Sequence, residues 1–182
     1  MAELKGSKTE ESLKAAFAGE CQASIKYQYY ASRARKDGYE QIAAIFEDTS
    51  LNEKEHAKIW FKFLHRETVP ETIENLKDAA GGENYEHSSM YADFAKVAKE
   101  EGFDDIAVLF EKVGSIEHRH EENYLKLIER LESGEVFKSK DGKTAIWKCR
   151  NCGHIHVAEA ALEVCPVCKH PKAFFEILAE NF

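Results

Sequence analysis

Two stretches of this chain, GYEQIAAIFE at Gly38–Glu47 and GFDDIAVLFE at Gly102–Glu111, lie 64 residues apart and match in pattern. The same offset carries Glu53 and His56 onto Glu117 and His120, Tyr27 onto Tyr91, and Arg66 onto Arg130. Whatever the first half folds into, the second half folds into again.

The repeated unit reads as a pair of helices. Leu13, Phe17, Glu20, Ser24, Tyr27, Ala31 and Ala34 recur at alternating steps of four and three, and the run stops near Lys36-Asp37-Gly38. A second stripe runs Ile42, Phe46, Thr49, Glu53, His56, Trp60, Phe63 and breaks in His65–Glu71, which holds Pro70. The third helix is expected over Thr72–Glu101, with Gly81-Gly82 as a weak point near its start. The fourth carries Ile106, Phe110, Val113, Glu117, His120, Tyr124, Leu127 and Leu131. Rods of roughly 35–45 Å with short connections predict antiparallel neighbours in an all-α four-helix bundle.

Polar residues interrupt these stripes at matching depth. Glu53 and His56, Glu117 and His120, and Glu20 occupy inward positions otherwise given to Phe, Trp, Val and Leu, whereas His118 turns toward solvent. One Glu-x-x-His on a helix is usually a solvated face. Two in repeat register, on the core stripe, place several carboxylates where unpaired charge is prohibitively costly. Two cations would neutralise them, and residues three apart present their side chains on one face. A Glu from each of two helices with Glu-x-x-His from the other two is the di-iron pattern of helical bundles. Few imidazoles among many carboxylates suit iron or manganese better than zinc.

Symmetry slips in the third helix. The offset maps Glu20 onto Asn84, and the nearest acids are Glu83 and Glu86. Tyr27 lies seven residues after Glu20, but Tyr91 lies eight after Glu83. One inserted residue is what a π-bulge supplies. Glu83 is therefore the expected counterpart of Glu20, Glu86 an additional carboxylate without a mate, and His87 a residue outside the ligand set.

Four of the five cysteines fall in the last third as Cys149/Cys152 and Cys165/Cys168, within WKCRNCGHIHVAEAALEVCPVCKH. Two C-x₂-C pairs form paired metal knuckles, and a segment of about 40 residues needs such a centre as its core. Tetrahedral S₄ suits zinc and iron alike. Beside a redox-capable bundle iron is the expectation, with zinc as a possible substitute. His154 and His156 are expected at the surface, and Cys21 as a small core or groove residue. The domain reading is residues 1–133 for the bundle, 134–145 for a linker and 146–182 for a β-rich metal module.

A formal charge of −8, with basic residues interspersed among acids, argues against a nucleic-acid partner. The apolar runs are too short for a membrane span, and MAELKGSKTEESLKAAF has no apolar signal core. A cytoplasmic location is expected.

These motifs resemble the rubrerythrin family across essentially the whole length. The carriers are AFAGECQAS around Glu20, EKEH at Glu53–His56, GENYEH at Gly82–His87, EHRH at Glu117–His120, then CRNCG and CPVCKHPKAFFE. The resemblance implies a ferritin-like di-iron bundle followed by a rubredoxin-like iron domain. It also implies a peroxidase that reduces hydrogen peroxide to water in oxidative-stress defence, supplied by an external reductase or rubredoxin. One iron is expected to move between Glu86 and His56, and Tyr27 and Tyr91 to hydrogen-bond the site carboxylates. His120 precedes the end of its helix by about a dozen residues, roughly 20 Å. That span fits the family's head-to-tail homodimer. Two rivals use the same motifs: a ferroxidase or iron-handling bundle, which needs no Cys₄ donor, and a zinc-ribbon binding module, which needs no inward Glu-x-x-His.

Overall fold

Helices α1 (Lys8–Lys36) and α2 (Glu40–Leu64) pack on each other as a hairpin. In the computed structural model, which describes residues 3–179, this hairpin is one of two units that divide between Pro70 and Glu71. Ser7 caps α1 by accepting the Glu10 N–H at 3.1 Å, while the Glu10 carboxylate accepts the Gly6 N–H. The helix ends in a Schellman motif: Gly38 N–H donates to Arg35 O, and Tyr39 N–H donates to Ala34 O at 2.9 Å. Gly38 has φ +85°, a conformation that needs glycine. Small residues fill the seam. Ala31, Ala34 and Ala43 are buried, and Ser24 and Ser50 exchange hydroxyl-to-carbonyl bonds of 2.9 and 2.8 Å. Ile25, Ile42 and Phe63 stay exposed.

The second unit opens with α3 (Thr72–Tyr85), a π-helical segment (Glu86–Met90), α4 (Tyr91–Glu100) and α5 (Asp104–Glu132). The single helix expected over Thr72–Glu101 is thus three segments. Gly81-Gly82 does not interrupt it, since both lie inside α3; the interruption is the π-segment, which absorbs one extra residue. Beyond it the repeat returns in detail. Gly102 N–H donates to Lys99 O and Phe103 N–H donates to Ala98 O, with Gly102 at φ +83°. Ala95, Ala98 and Ala107 are the buried twins of Ala31, Ala34 and Ala43. Even the flanking ion pair repeats, Arg35–Glu47 in the first copy and Lys99–Glu111 in the second.

One seam position differs. The twin of Ser50 is Gly114, where an added Cβ would lie 3.3 Å from the Tyr91 Cβ and 4.0 Å from the His87 Cα. The π-segment presses this chain so close to α5 that only a glycine fits without displacement.

After α5, a third Schellman turn at Gly134 leads into a small antiparallel sheet of β1 (Ala145–Cys149), β2 (Ile155–Ala158) and β3 (Phe175–Ile177). The strand order is β2-β1-β3, and Trp147 pairs with His156 on one side and Ile177 on the other. Trp147, Cys149 and Cys165 are fully buried beside Ala161 and Phe175. Phe137, in the stretch expected as a linker, packs on this cluster. The two knuckles are themselves twins: Cys149 N–H donates to His154 O and Cys165 N–H to His170 O, both at 2.9 Å. Gly153 and Lys169 close them at φ +77° and +62°. Among the described residues no helix is long and apolar enough to cross a membrane.

Two stability outcomes follow from this packing. Gly81→Ala, with open space around its Cβ, is expected to raise stability by roughly 0.5–1 kcal/mol from helix propensity. Gly114→Ala should lose that gain and fall below the parent, because the Tyr91 Cβ moves only with its backbone. Denaturant midpoints of both variants decide this. In a Trp60→Phe background, stripping metal from the cysteine module should red-shift Trp147 emission while helical circular dichroism persists; unshifted emission would show a core that stands without metal.

Candidate metal centres

Each hairpin gathers its own three-residue ligand set. In the first, Glu20 of α1 meets Glu53 and His56 of α2; in the second, Glu83 of α3 meets Glu117 and His120 of α5. Within each set, one ligand atom per residue lies within 4.8 Å of the others. The i, i+3 pairs match closely: His56 Nδ1 is 2.7 Å from Glu53 Oε2, and His120 Nδ1 is 2.7 Å from Glu117 Oε2. His120 Nδ1 also lies 3.6 Å from Glu83 Oε2. Asn84, the strict offset mate of Glu20, turns elsewhere and donates to Glu121 Oε1 at 2.8 Å.

Glu86 opens the π-segment and lies outside both sets, yet its charge is felt. Burial, then Glu117, then Glu86 raise the Glu83 carboxyl above its ordinary range, against the pull of His120. The Tyr91 phenol is likewise raised, by burial first and then by Glu86, Glu117 and Glu83. Tyr27 and Tyr91 occupy twin aromatic packings, with ring centroids 6.0 Å from Phe46 and from Phe110 respectively. Cys21 is exposed on α1, in a shallow groove beside Gln22 and Ile25.

The sequence reading left out a further polar set. His87 Nε2 lies 2.7 Å from Glu121 Oε2, and His118, which looked merely solvated, has Nδ1 3.6 Å from the same oxygen. His87 first and Asn84 second hold the Glu121 carboxyl below its usual range. The signal was present as GENYEH facing EHRHEE, but only the packing of α3 and the π-segment on α5 sets those turns side by side.

Cys149, Cys152, Cys165 and Cys168 converge at the knuckles. Sulfur separations of 3.7 Å (Cys149–Cys168) and 3.6 Å (Cys152–Cys165) match the edge of a tetrahedron, about 3.8 Å for metal–sulfur bonds of ~2.3 Å. All four are free thiols. The His170 backbone N–H, with smaller help from neighbouring side chains, draws Cys168 down to about 5 despite burial. The His154 N–H also pulls on Cys152, but burial and the other three thiols push it up to about 12. A metal ion bound here would take the thiolate form of each cysteine and release its proton. His154 and His156 stand outside the set. The geometry fits iron here, and the carboxylate-rich sets fit iron in the helices.

Comparison with known proteins agrees. The rubrerythrin family model matches residues 11–128, and the model of the rubrerythrin rubredoxin-like domain matches 147–176. Among curated relatives, the rubrerythrin of Clostridium perfringens is 45% identical, covering all of both chains. That of Porphyromonas gingivalis is 44% identical over 98% of this chain and 94% of its own. A rubrerythrin of Nitratidesulfovibrio vulgaris is 41% identical over the full length of both.

The raised Glu83 carboxyl sets a pH dependence for the metal-free protein. A glutamate whose folded-state pKa is raised stabilises the fold below the ordinary range near 4.5, and that contribution is lost as pH rises through the raised value. Glu83→Gln should therefore be more stable than the parent at pH 7, with the advantage gone at pH 4. Denaturant midpoints across that range test it; an advantage independent of pH would exclude charge as the cause.

Proposed function

The chain belongs to the rubrerythrin family of iron-dependent oxidoreductases, with a ferritin-like helical region and a rubredoxin-like module, and on that premise we propose that it is a peroxidase reducing hydrogen peroxide to water. The observation that carries this reading is the pair of repeat-related carboxylate–imidazole sets in the same chain as a four-thiolate centre. Glu20, Glu53, His56, Glu83, Glu117 and His120, with Glu86, would hold two iron ions; Cys149, Cys152, Cys165 and Cys168 would hold one. Bound iron supplies two reducing equivalents at the helices and a one-electron relay at the thiolates, so that peroxide, two protons and two electrons yield two waters.

The residues themselves bind, orient and move protons. Glu53 and His56, and likewise Glu117 and His120, present their donor atoms side by side on one helical face, where a bound ion would take the place of the contact between them. Glu83, whose carboxyl is raised in the metal-free chain by burial and the neighbouring carboxylates, would give up its proton to the solvent as iron takes over the balancing of the set. Glu86, in a segment with no counterpart in the first copy, is the carboxylate free to enter or leave the ligand set, and His56 is its expected alternate. Tyr27 and Tyr91 brace the site from their aromatic packings. An external reductase or rubredoxin returns the electrons, and a head-to-tail homodimer in the cytoplasm is the setting this reading expects.

The test is anaerobic. Iron-loaded, fully reduced protein is mixed with one equivalent of peroxide or with air-saturated buffer, and the ferric Cys₄ absorbance is followed. Fast return with peroxide and slow return with air is expected. Preference for dioxygen with iron turnover would replace the peroxidase with a ferroxidase. Glu53→Ala or Glu117→Ala should lose helix-bound iron and keep the Cys₄ iron; undiminished helix-bound iron would overturn the ligand assignment.

A further inference from the structure

The polar set formed by His87, His118 and Glu121 shares no residue with the centres assigned above, and it has the composition and spacing of a metal site. We propose that these three residues bind a separate divalent transition-metal ion of the zinc class, one per chain.

The set is built by the feature that breaks the repeat. The π-segment carries His87 toward α5, and Gly114, lacking a side chain, lets the His87 backbone approach to 4.0 Å of a Cβ position. One turn further along α5, His118 meets the His87 ring at a centroid separation of 4.6 Å. On an ideal helix His118 sits about 100° round from Glu117, and Glu121 about 100° round from His120. The set therefore faces a different flank from the Glu83–Glu117–His120 set.

One donor atom from each of the three residues falls within 4.8 Å of the others. Tetrahedral donors at ~2.0–2.1 Å from zinc lie about 3.3 Å apart. His118 Nδ1 and Glu121 Oε2, at 3.6 Å, are near that spacing. His87 Nε2 and Glu121 Oε2, at 2.7 Å, now share a proton that an ion would displace, opening the pair by about half an ångström.

The surroundings orient the donors. Asn84 occupies Glu121 Oε1, which leaves Oε2 turned to both imidazoles. The far nitrogen of His118, Nε2, faces Glu122 Oε1 at 3.7 Å, the carboxylate-behind-imidazole arrangement that raises the basicity of a ligating histidine. His87 and His118 also line a groove with Tyr91, Glu111 and Ser115, through which a water or an exogenous donor could reach them. Two imidazoles and one carboxylate suit zinc and its neighbours rather than magnesium or calcium.

A metal-free cluster, with His87 and His118 both facing Glu121 and His118 also facing Glu122, is the competing account, and it predicts that no zinc is retained. The measurement is metal content. Iron-loaded full-length protein is dialysed against micromolar Zn²⁺, then against zinc-free buffer, and analysed for iron and zinc per chain. One zinc beyond an unchanged iron content is expected. His118→Ala, a change at an exposed side chain, and Glu121→Gln should each weaken zinc binding at least 100-fold. Asn84→Ala should weaken it about 10- to 100-fold. Iron content and Cys₄ absorbance should stay at parent values in all three. No zinc beyond the iron, equal retention by His118→Ala and the parent, or zinc gained only as iron leaves would each overturn the proposal.

Discussion

Carboxylates held close together repel, and the arrangement of this chain follows from how that repulsion is met. Burial and the neighbouring charges of Glu117 and Glu86 already raise the Glu83 carboxyl. Within each three-residue set the two carboxylates face a single histidine, and a bound cation would supply the remaining balance. The same chemistry governs the C-terminal module, where four cysteine sulfurs surround one point. In both places donors that could take a metal ion stand together, and an ion bound there would link folding to metal binding.

The helical scaffold around these donors is conservative. Alanines at twin positions, 31/95, 34/98 and 43/107, let each helix pair approach closely, and a glycine in the left-handed region turns the chain at the same place in both copies. The seam uses small residues and leaves large ones such as Ile42 and Ile106 exposed within each hairpin. Close approach brings Glu20 to Glu53 and Glu83 to Glu117. A wider seam built from leucines would separate these carboxylates beyond the reach of a shared ion.

Much of this was legible from residue order. The 64-residue offset announced twin hairpins, the Glu-x-x-His pairs named two donors in each, and one surplus residue between Glu83 and Tyr91 pointed to a π-segment that lies at Glu86–Met90. The thiolate set was plain from two C-x₂-C pairs. Less legible was anything that depends on which turns face across a seam. The extent of the π-segment was not legible, because the residue count gives one insertion but not the five residues that absorb it. Gly81-Gly82 looked like a weak point because glycine propensity is local while packing is not. His87 read as outside the ligand set and His118 as turned to solvent, since 34 residues separate His87 from the Glu121 it contacts. Phe137 read as linker because a lone aromatic gives no sign of the module it packs against.

The single inserted residue has a consequence for descent as well as for chemistry. Duplicated segments tend to be made alike again by recombination, which copies one half over the other. Here such an exchange would put a serine against the Tyr91 Cβ at position 114, or delete the residue that gives Glu86 its place. Either product would misalign the second hairpin. The two halves, alike as they are, are therefore not interchangeable position for position: each fits its own seam.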